Sequence, residues 1–236
     1  MAGVQANREQ ARGSTLDSNI AATSDPRNAL YRFLQACLRI AAPVYLRYQA
    51  RGVEHVPQRG PALFVVNHQS FLDPVMVALP ISRPVRFLAR DTLYRGPLIR
   101  ALFDKIYTIP INRGAASSAT IRQATSQLQQ GFLVGIFPEG TRSADGRIGA
   151  LKPGFIALVR RADVPVIPVG LAGTGAAFPR GAWFVRPKTC RVVFGAPLQP
   201  EILAQLKGHG SEQALLEVVR DAMQRCYVEA RDWQSR

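Results

Sequence analysis

Three short segments of this 236-residue chain bring together residue types that can move protons or hold anions. The first is Asn67-His68-Gln69-Ser70-Phe71-Leu72-Asp73, with a histidine and an aspartate five positions apart. An imidazole beside a carboxylate is a general base with its tautomer held, the pairing needed to take a proton from a hydroxyl. On a helix five residues advance about 140° net, so His68 and Asp73 can meet only if the chain turns between them. Asp73-Pro74 supplies a turn, because aspartate is a good N-cap and proline is favoured at the first helical position. On residue types and spacing two readings stand open: a base with its orienting partner, or a helix-capping aspartate near an ordinary loop histidine.

The second segment, Phe137-Pro138-Glu139-Gly140-Thr141-Arg142-Ser143, carries a glycine that lets backbone approach a ligand and an arginine whose planar fork suits phosphate. The third, Ile109-Pro110-Ile111-Asn112-Arg113-Gly114, sets Arg113 beside another glycine. A solvated turn and a surface arginine fit these two segments equally well when each is taken alone. The chain holds no phosphate loop, no Gly-x-Ser-x-Gly elbow and no His-Glu-x-x-His, and Gly173-Thr174-Gly175 lacks the third glycine of a dinucleotide fingerprint.

Each of the three segments follows an apolar run too short and too β-branched to be a helix. Such runs predict strands over 62–66, 85–89, 107–111, 133–137, 164–171 and 191–194. Helical spacing predicts helices over 74–79, 97–103, 118–130 and 153–161, the third bounded by Ser117 or Ser118 and by Gly131. A last helix follows Ser211, where Leu215, Val218, Val219, Ala222, Met223, Cys226 and Tyr227 form an apolar face for the core. This alternation predicts an α/β fold: a single domain with a mainly parallel or mixed twisted sheet flanked by helices, spanning 51–236. Ligands in such sheets collect where strands end.

An amphipathic helix over 27–50 precedes that domain, with Leu30, Phe33, Leu34, Cys37, Leu38, Ala41, Val44 and Tyr45 on one stripe and Arg32, Arg39 and Arg47 away from it. Pro43 is expected to kink the helix or end it early. The stripe either packs on the domain or lies in a membrane interface with its arginines toward headgroups. Residues 1–26, charged and rich in small polar residues, read as a flexible tail and not a secretory leader.

The formal charge is +14, from 30 basic and 16 acidic residues, which calls for an anionic partner: nucleic acid, a phosphorylated substrate or an anionic bilayer. Arginines are dispersed and no nucleic-acid module is recognisable, which argues against the first. Cys37, Cys190 and Cys226 have no paired spacing, so reduced thiols in a reducing compartment are expected.

With these residues assembled, the chain resembles the lysophosphatidic acid acyltransferase branch of the glycerolipid acyltransferases. Asn67, His68, Ser70 and Asp73 fit the family's first signature, 96–113 resembles its second block, 137–143 its third and Val164-Pro165-Val166-Ile167-Pro168-Val169 its fourth. The four occur in the family's order. The resemblance implies direct transfer of a fatty acyl group from acyl-CoA or acyl carrier protein to the hydroxyl of 1-acylglycerol 3-phosphate, with no metal or bound cofactor. Glycerol 3-phosphate or another lysolipid, such as a lyso-ornithine lipid, is the alternative acceptor. It implies His68 as general base and Asp73 as its orienting partner. It further implies Arg113, Glu139, Gly140, Thr141 and Arg142 at the glycerol phosphate, the arginines on phosphate and Glu139 on polar groups or its neighbours. Lys105, within the second block, either helps at the thioester oxyanion or is a surface lysine, the reading preferred here, and Ser70 is read as a turn residue. A lipid substrate in turn implies a membrane, since drawing about fourteen methylenes into water costs more than 10 kcal/mol at roughly 0.8 kcal/mol each. The chain is therefore expected to be peripheral on the cytoplasmic face of an anionic membrane, with no nucleic-acid partner.

Overall fold

In the computed structural model the described residues are 28–90, 101, 105–111, 118–206, 208 and 210–235. The tail expected over 1–26, most of the helix expected over 97–103, and Arg113 lie outside them. The β-branched runs form strands β2 (Ala62–Val66), β3 (Val85–Arg90), β4 (Ile109–Ile111), β5 (Leu133–Ile136), β6 (Val166–Ala172) and β7 (Arg191–Phe194), joined by β1 (Gln49–Arg51). They make a seven-stranded sheet of order β1-β7-β6-β2-β5-β3-β4. All neighbours run parallel except β6 and β7, so the sheet is mixed but mainly parallel.

Strand β2 shows how the core forms. All five of its residues are buried, and alternate side chains enter two different layers. Phe64 and Val66 join one cluster with Ile167, Val169, Phe194 and Met76. Leu63 and Val65 join the other with Val134, Leu128, Val159 and Met223. Helices α3 (Ser118–Gln129), α4 (Ile156–Ala162) and α7 (Glu212–Gln234) cover the second layer, while α1 (Ala29–Tyr45) and α2 (Asp73–Ala78) cover the first. Each fully buried Leu, Ile, Val, Phe or Met contributes about 1.5–3 kcal/mol relative to exposure.

Several element boundaries differ from expectation for local reasons. Tyr107 has φ 63, a left-handed conformation that delays β4 to Ile109. The strand expected from 164 begins at Val166, after a proline that cannot donate to the ladder. The helix expected over 153–161 opens as a 3-10 turn, Pro153–Phe155, and becomes α-helical at Ile156. Gln49–Arg51, which overlaps the last two residues of the segment expected to be interfacial helix, instead pairs with β7. Two short helices, α5 (Thr174–Ala177) and α6 (Pro200–Gln205), had no periodic signal to reveal them. Gly131, at φ 83, ends α3 as anticipated.

Helix α1 packs in an unusual sense. Its N-cap Asn28 accepts from the Tyr31 amide at 2.9 Å, and the helix runs through Pro43 before ending at Tyr45. Its inward side is partly polar: the Gln35 amide donates to the Ala78 and Ile81 carbonyls at 3.1 and 2.9 Å, and Arg39 donates to the Leu79 and Ile81 carbonyls at 2.9 and 3.1 Å. These are carbonyls at and just past the end of α2, where a helix lacks its own donors. The apolar stripe faces outward instead of packing on the domain, with Phe33 65% and Val44 81% exposed.

Candidate active site

Parallel strands β5, β2 and β6 end on one edge of the sheet, and the 67–73, 137–149 and 173–186 stretches follow from those ends. Asn67 closes the first stretch onto β6: its side-chain amide donates to the Leu171 carbonyl at 3.0 Å and its oxygen accepts the Leu171 N–H at 2.7 Å. The chain then turns, and His68 Nδ1 comes to 2.8 Å from Asp73 Oδ2. The same oxygen accepts the Gln69 and Ser70 N–H groups at 2.6 and 2.7 Å. Asp73 is thus the first residue of α2 but does not cap it; its carboxylate reaches back to the turn, and the capping position is Leu72. Asp73 is fully buried, and its other oxygen, Oδ1, has no partner among the described residues. A buried anion left one bond short gains most from a cation formed beside it.

An ionised carboxylate only accepts, so the short contact makes Nδ1 the protonated nitrogen and leaves the Nε2 lone pair available as a base. No described residue bonds Nε2. The imidazole stacks on Phe137 with ring centroids 4.0 Å apart and planes 18° from parallel. Ser70 is committed to the turn, its hydroxyl donating to the Phe178 carbonyl at 2.8 Å and accepting from the Leu72 N–H at 3.3 Å.

The second segment grips the first. Buried Glu139 accepts the His68 N–H on Oε1 and the Gly149 N–H on Oε2, both at 2.9 Å, while the Ser143 N–H donates to the His68 carbonyl at 2.7 Å. Of the two roles anticipated for Glu139, holding its neighbours is the one realised: both its oxygens are taken by backbone. Burial pushes its carboxyl above the usual range, against the opposing pull of the Gly149 and His68 N–H bonds. Gly140, at φ 66, sits against Lys152, whose Nζ lies 2.8 Å from where a Cβ would stand. The Arg142 guanidinium lies 3.9 Å from the Phe71 ring centroid, so the arginine leans over the 67–73 turn. Exposed Thr141 follows Gly140 on the same loop.

Lys105 is not brought to this place. Leu88 pairs with Ile109, and Val85 is level with Ala62 through their shared partner Leu133. That register sets Lys105 before the amino end of β4, the edge strand three places from β2 in the sheet. Its carbonyl accepts from Asn28 Nδ2 at 2.8 Å.

Two cations escaped the sequence reading. Arg180, past β6, donates to Thr141 Oγ1 at 3.1 Å and to the Arg142 carbonyl at 2.5 Å. Lys152 is the other. Arg180 shared one available signal with the recognised segments, a place beyond the carboxyl end of a strand; Lys152 had none.

A family model described as Acyltransferase matches residues 47–172. The chain is 31% identical to the chloroplastic 1-acyl-sn-glycerol-3-phosphate acyltransferase LPAT1 of Arabidopsis thaliana over 67% of its own length and 46% of the relative's. A 1-acyl-sn-glycerol-3-phosphate acyltransferase of Pseudomonas aeruginosa is 30% identical over 75% of this chain and 71% of the relative. The chain spans about half the length of the first plant relatives it matches. Among solved structures, the 1-acyl-sn-glycerophosphate acyltransferase PlsC of Thermotoga maritima superposes with a TM-score of 0.69 at 25% identity, covering 84% of this chain and 79% of that one.

Proposed function

We propose a reaction on the premise that this chain belongs to the acyltransferase family: it transfers a fatty acyl group from an acyl thioester to the free hydroxyl of 1-acylglycerol 3-phosphate, giving phosphatidic acid. The observation that carries the proposal is the 2.8 Å contact between His68 Nδ1 and Asp73 Oδ2. His68 Nε2 takes the hydroxyl proton as the oxygen attacks the thioester carbon. The C–S bond breaks, and the departing thiolate receives the proton back from the imidazolium. Asp73 stabilises that imidazolium, and Glu139 fixes the backbone from which the ring projects. General-base assistance of this kind is worth about 10² to 10⁴ in rate.

Arg142, with Arg180 and Lys152 around the Gly140 turn, supplies the positive field for the acceptor's phosphate. Arg113 is proposed to share that role. The acyl donor is acyl-CoA or acyl-acyl carrier protein, and no bound cofactor is required. The acceptor is drawn from an anionic membrane on its cytoplasmic face, with the outward apolar stripe of α1 as the dock. No described helix is long and apolar enough to cross a membrane. A thioester-consumption assay with a panel of lysolipids, comparing wild type with His68→Ala, tests the reading. Loss of at least about 10²-fold in the variant is expected; equal rates would remove His68 as the base.

A further inference from the structure

We infer that the loop carrying Trp183 and Phe184 is a second membrane-inserting element that sets the mouth of the active site against the lipid headgroups. The inference rests on the acyltransfer reading for its lipid substrate, but its observations are separate. Trp183 is 97% exposed and Phe184 67%, although aromatic side chains carry large apolar surface that folding normally hides. An exposed pair of adjacent aromatics marks a contact surface.

Three features commit that surface to a bilayer. First, the loop abuts α1: the Tyr45 hydroxyl donates to the Val185 carbonyl at 2.8 Å, so the aromatic pair stands beside the end of the helix that exposes Val44. Val185 itself packs against the core, which holds the base of the loop while its tip projects. Second, the exposed aromatics are flanked in sequence by exposed Arg180, Arg186 and Lys188. Apolar aromatics ringed by cations suit an anionic lipid interface, where tryptophan occupies the headgroup level and basic side chains meet phosphate. Third, the same stretch borders the catalytic turn: the Phe178 carbonyl accepts from the Ser70 hydroxyl, and Arg180 holds Thr141 and the Arg142 carbonyl. Insertion of residues 183 and 184 would thus bring the His68 cleft to the depth at which a lysolipid presents its hydroxyl.

The 236-residue chain provides its own reporter, because it has two tryptophans and the other, Trp233, stacks under Arg51 and Arg191. Trp233→Phe leaves Trp183 as the only indole. On vesicles of phosphatidylcholine and phosphatidylglycerol its emission is expected to shift to the blue and to be quenched by brominated acyl chains. Trp183→Ser with Phe184→Ser should weaken vesicle binding at least about tenfold in sedimentation, while turnover of a monodisperse short-chain lysolipid stays at the wild-type rate. Unchanged emission on adding vesicles, or wild-type binding by the double variant, would overturn the inference. An emission shift that follows protein concentration without lipid would also overturn it, assigning the patch to a second copy of the chain. If the wild type fails to turn over any lysolipid, the acyltransfer reading falls, and the emission result still decides the loop.

Discussion

The catalytic turn and helix α1 both bury polar side chains against backbone, yet they leave opposite surfaces behind. In the turn, Asp73 and Glu139 spend four carboxylate contacts on N–H groups of Gln69, Ser70, His68 and Gly149, and what remains facing outward is one basic nitrogen. In α1, Gln35 and Arg39 cap the carbonyls around the end of α2, and what remains outside is an apolar stripe. The contrast separates two uses of the same chemistry. Hydrogen bonds to otherwise unpaired backbone groups hold a reacting side chain in one place, or they free an apolar face for something other than the core.

The sharpest way to break this contrast is at Asp73. Asp73→Ala should reduce turnover by about 10² to 10⁴, as removal of His68 does. Unlike loss of His68, it should also lower stability, because two buried N–H groups lose their acceptor at about 1–3 kcal/mol each. Denaturant melts beside the rate assay distinguish the two variants.

Glu139→Gln comes next, with an expected loss of about 2 kcal/mol, since one amide oxygen cannot serve both His68 and Gly149. Burial raises the Glu139 carboxyl above its ordinary 4.5, so the folded chain holds that proton more tightly than the unfolded one. Its contribution is full below that value and is lost as pH rises through the raised one. The stability gap between wild type and variant should therefore narrow as pH climbs from below 4.5 and then level off. A gap that widens over this range would contradict burial as the dominant influence.

Arg180→Gln should raise KM for the lysolipid roughly fivefold with little change in kcat, because it removes an exposed guanidinium that positions Thr141 and Arg142 and leaves the base alone. Helix α1 gives the smallest effects on stability. Gln35→Leu should cost about 1–2 kcal/mol by leaving carbonyls unpaired, whereas Ile40→Ser should stay within about 0.5 kcal/mol while weakening vesicle binding. Equal melting shifts for the pair would mean that the outward face of α1 is packed after all.

Much of the fold could be read in advance, since burial of β2 and β6 on both faces demands continuous apolar runs, and such runs are visible in the residue order. Gln49–Arg51 was not legible because three polar or small residues carry no period. At the site, His68 and Asp73 were within reach because the turn that joins them is local and ends in a proline. Arg180 was not, for its partners are 38 and 39 positions away and meet it only where β5 and β6 flank β2.

Residue order therefore settled which chemistry stands at the ends of which strands, because strand, turn and cap preferences act over a few neighbours. Strand order and register settled the rest. They turned Glu139 onto the His68 backbone, carried Lys105 to the far edge, drew Arg180 and Lys152 around Gly140, and rolled α1 so that its apolar stripe faces out. Those outcomes depend on which distant backbone groups lack partners after the sheet has closed, and no local spacing encodes that.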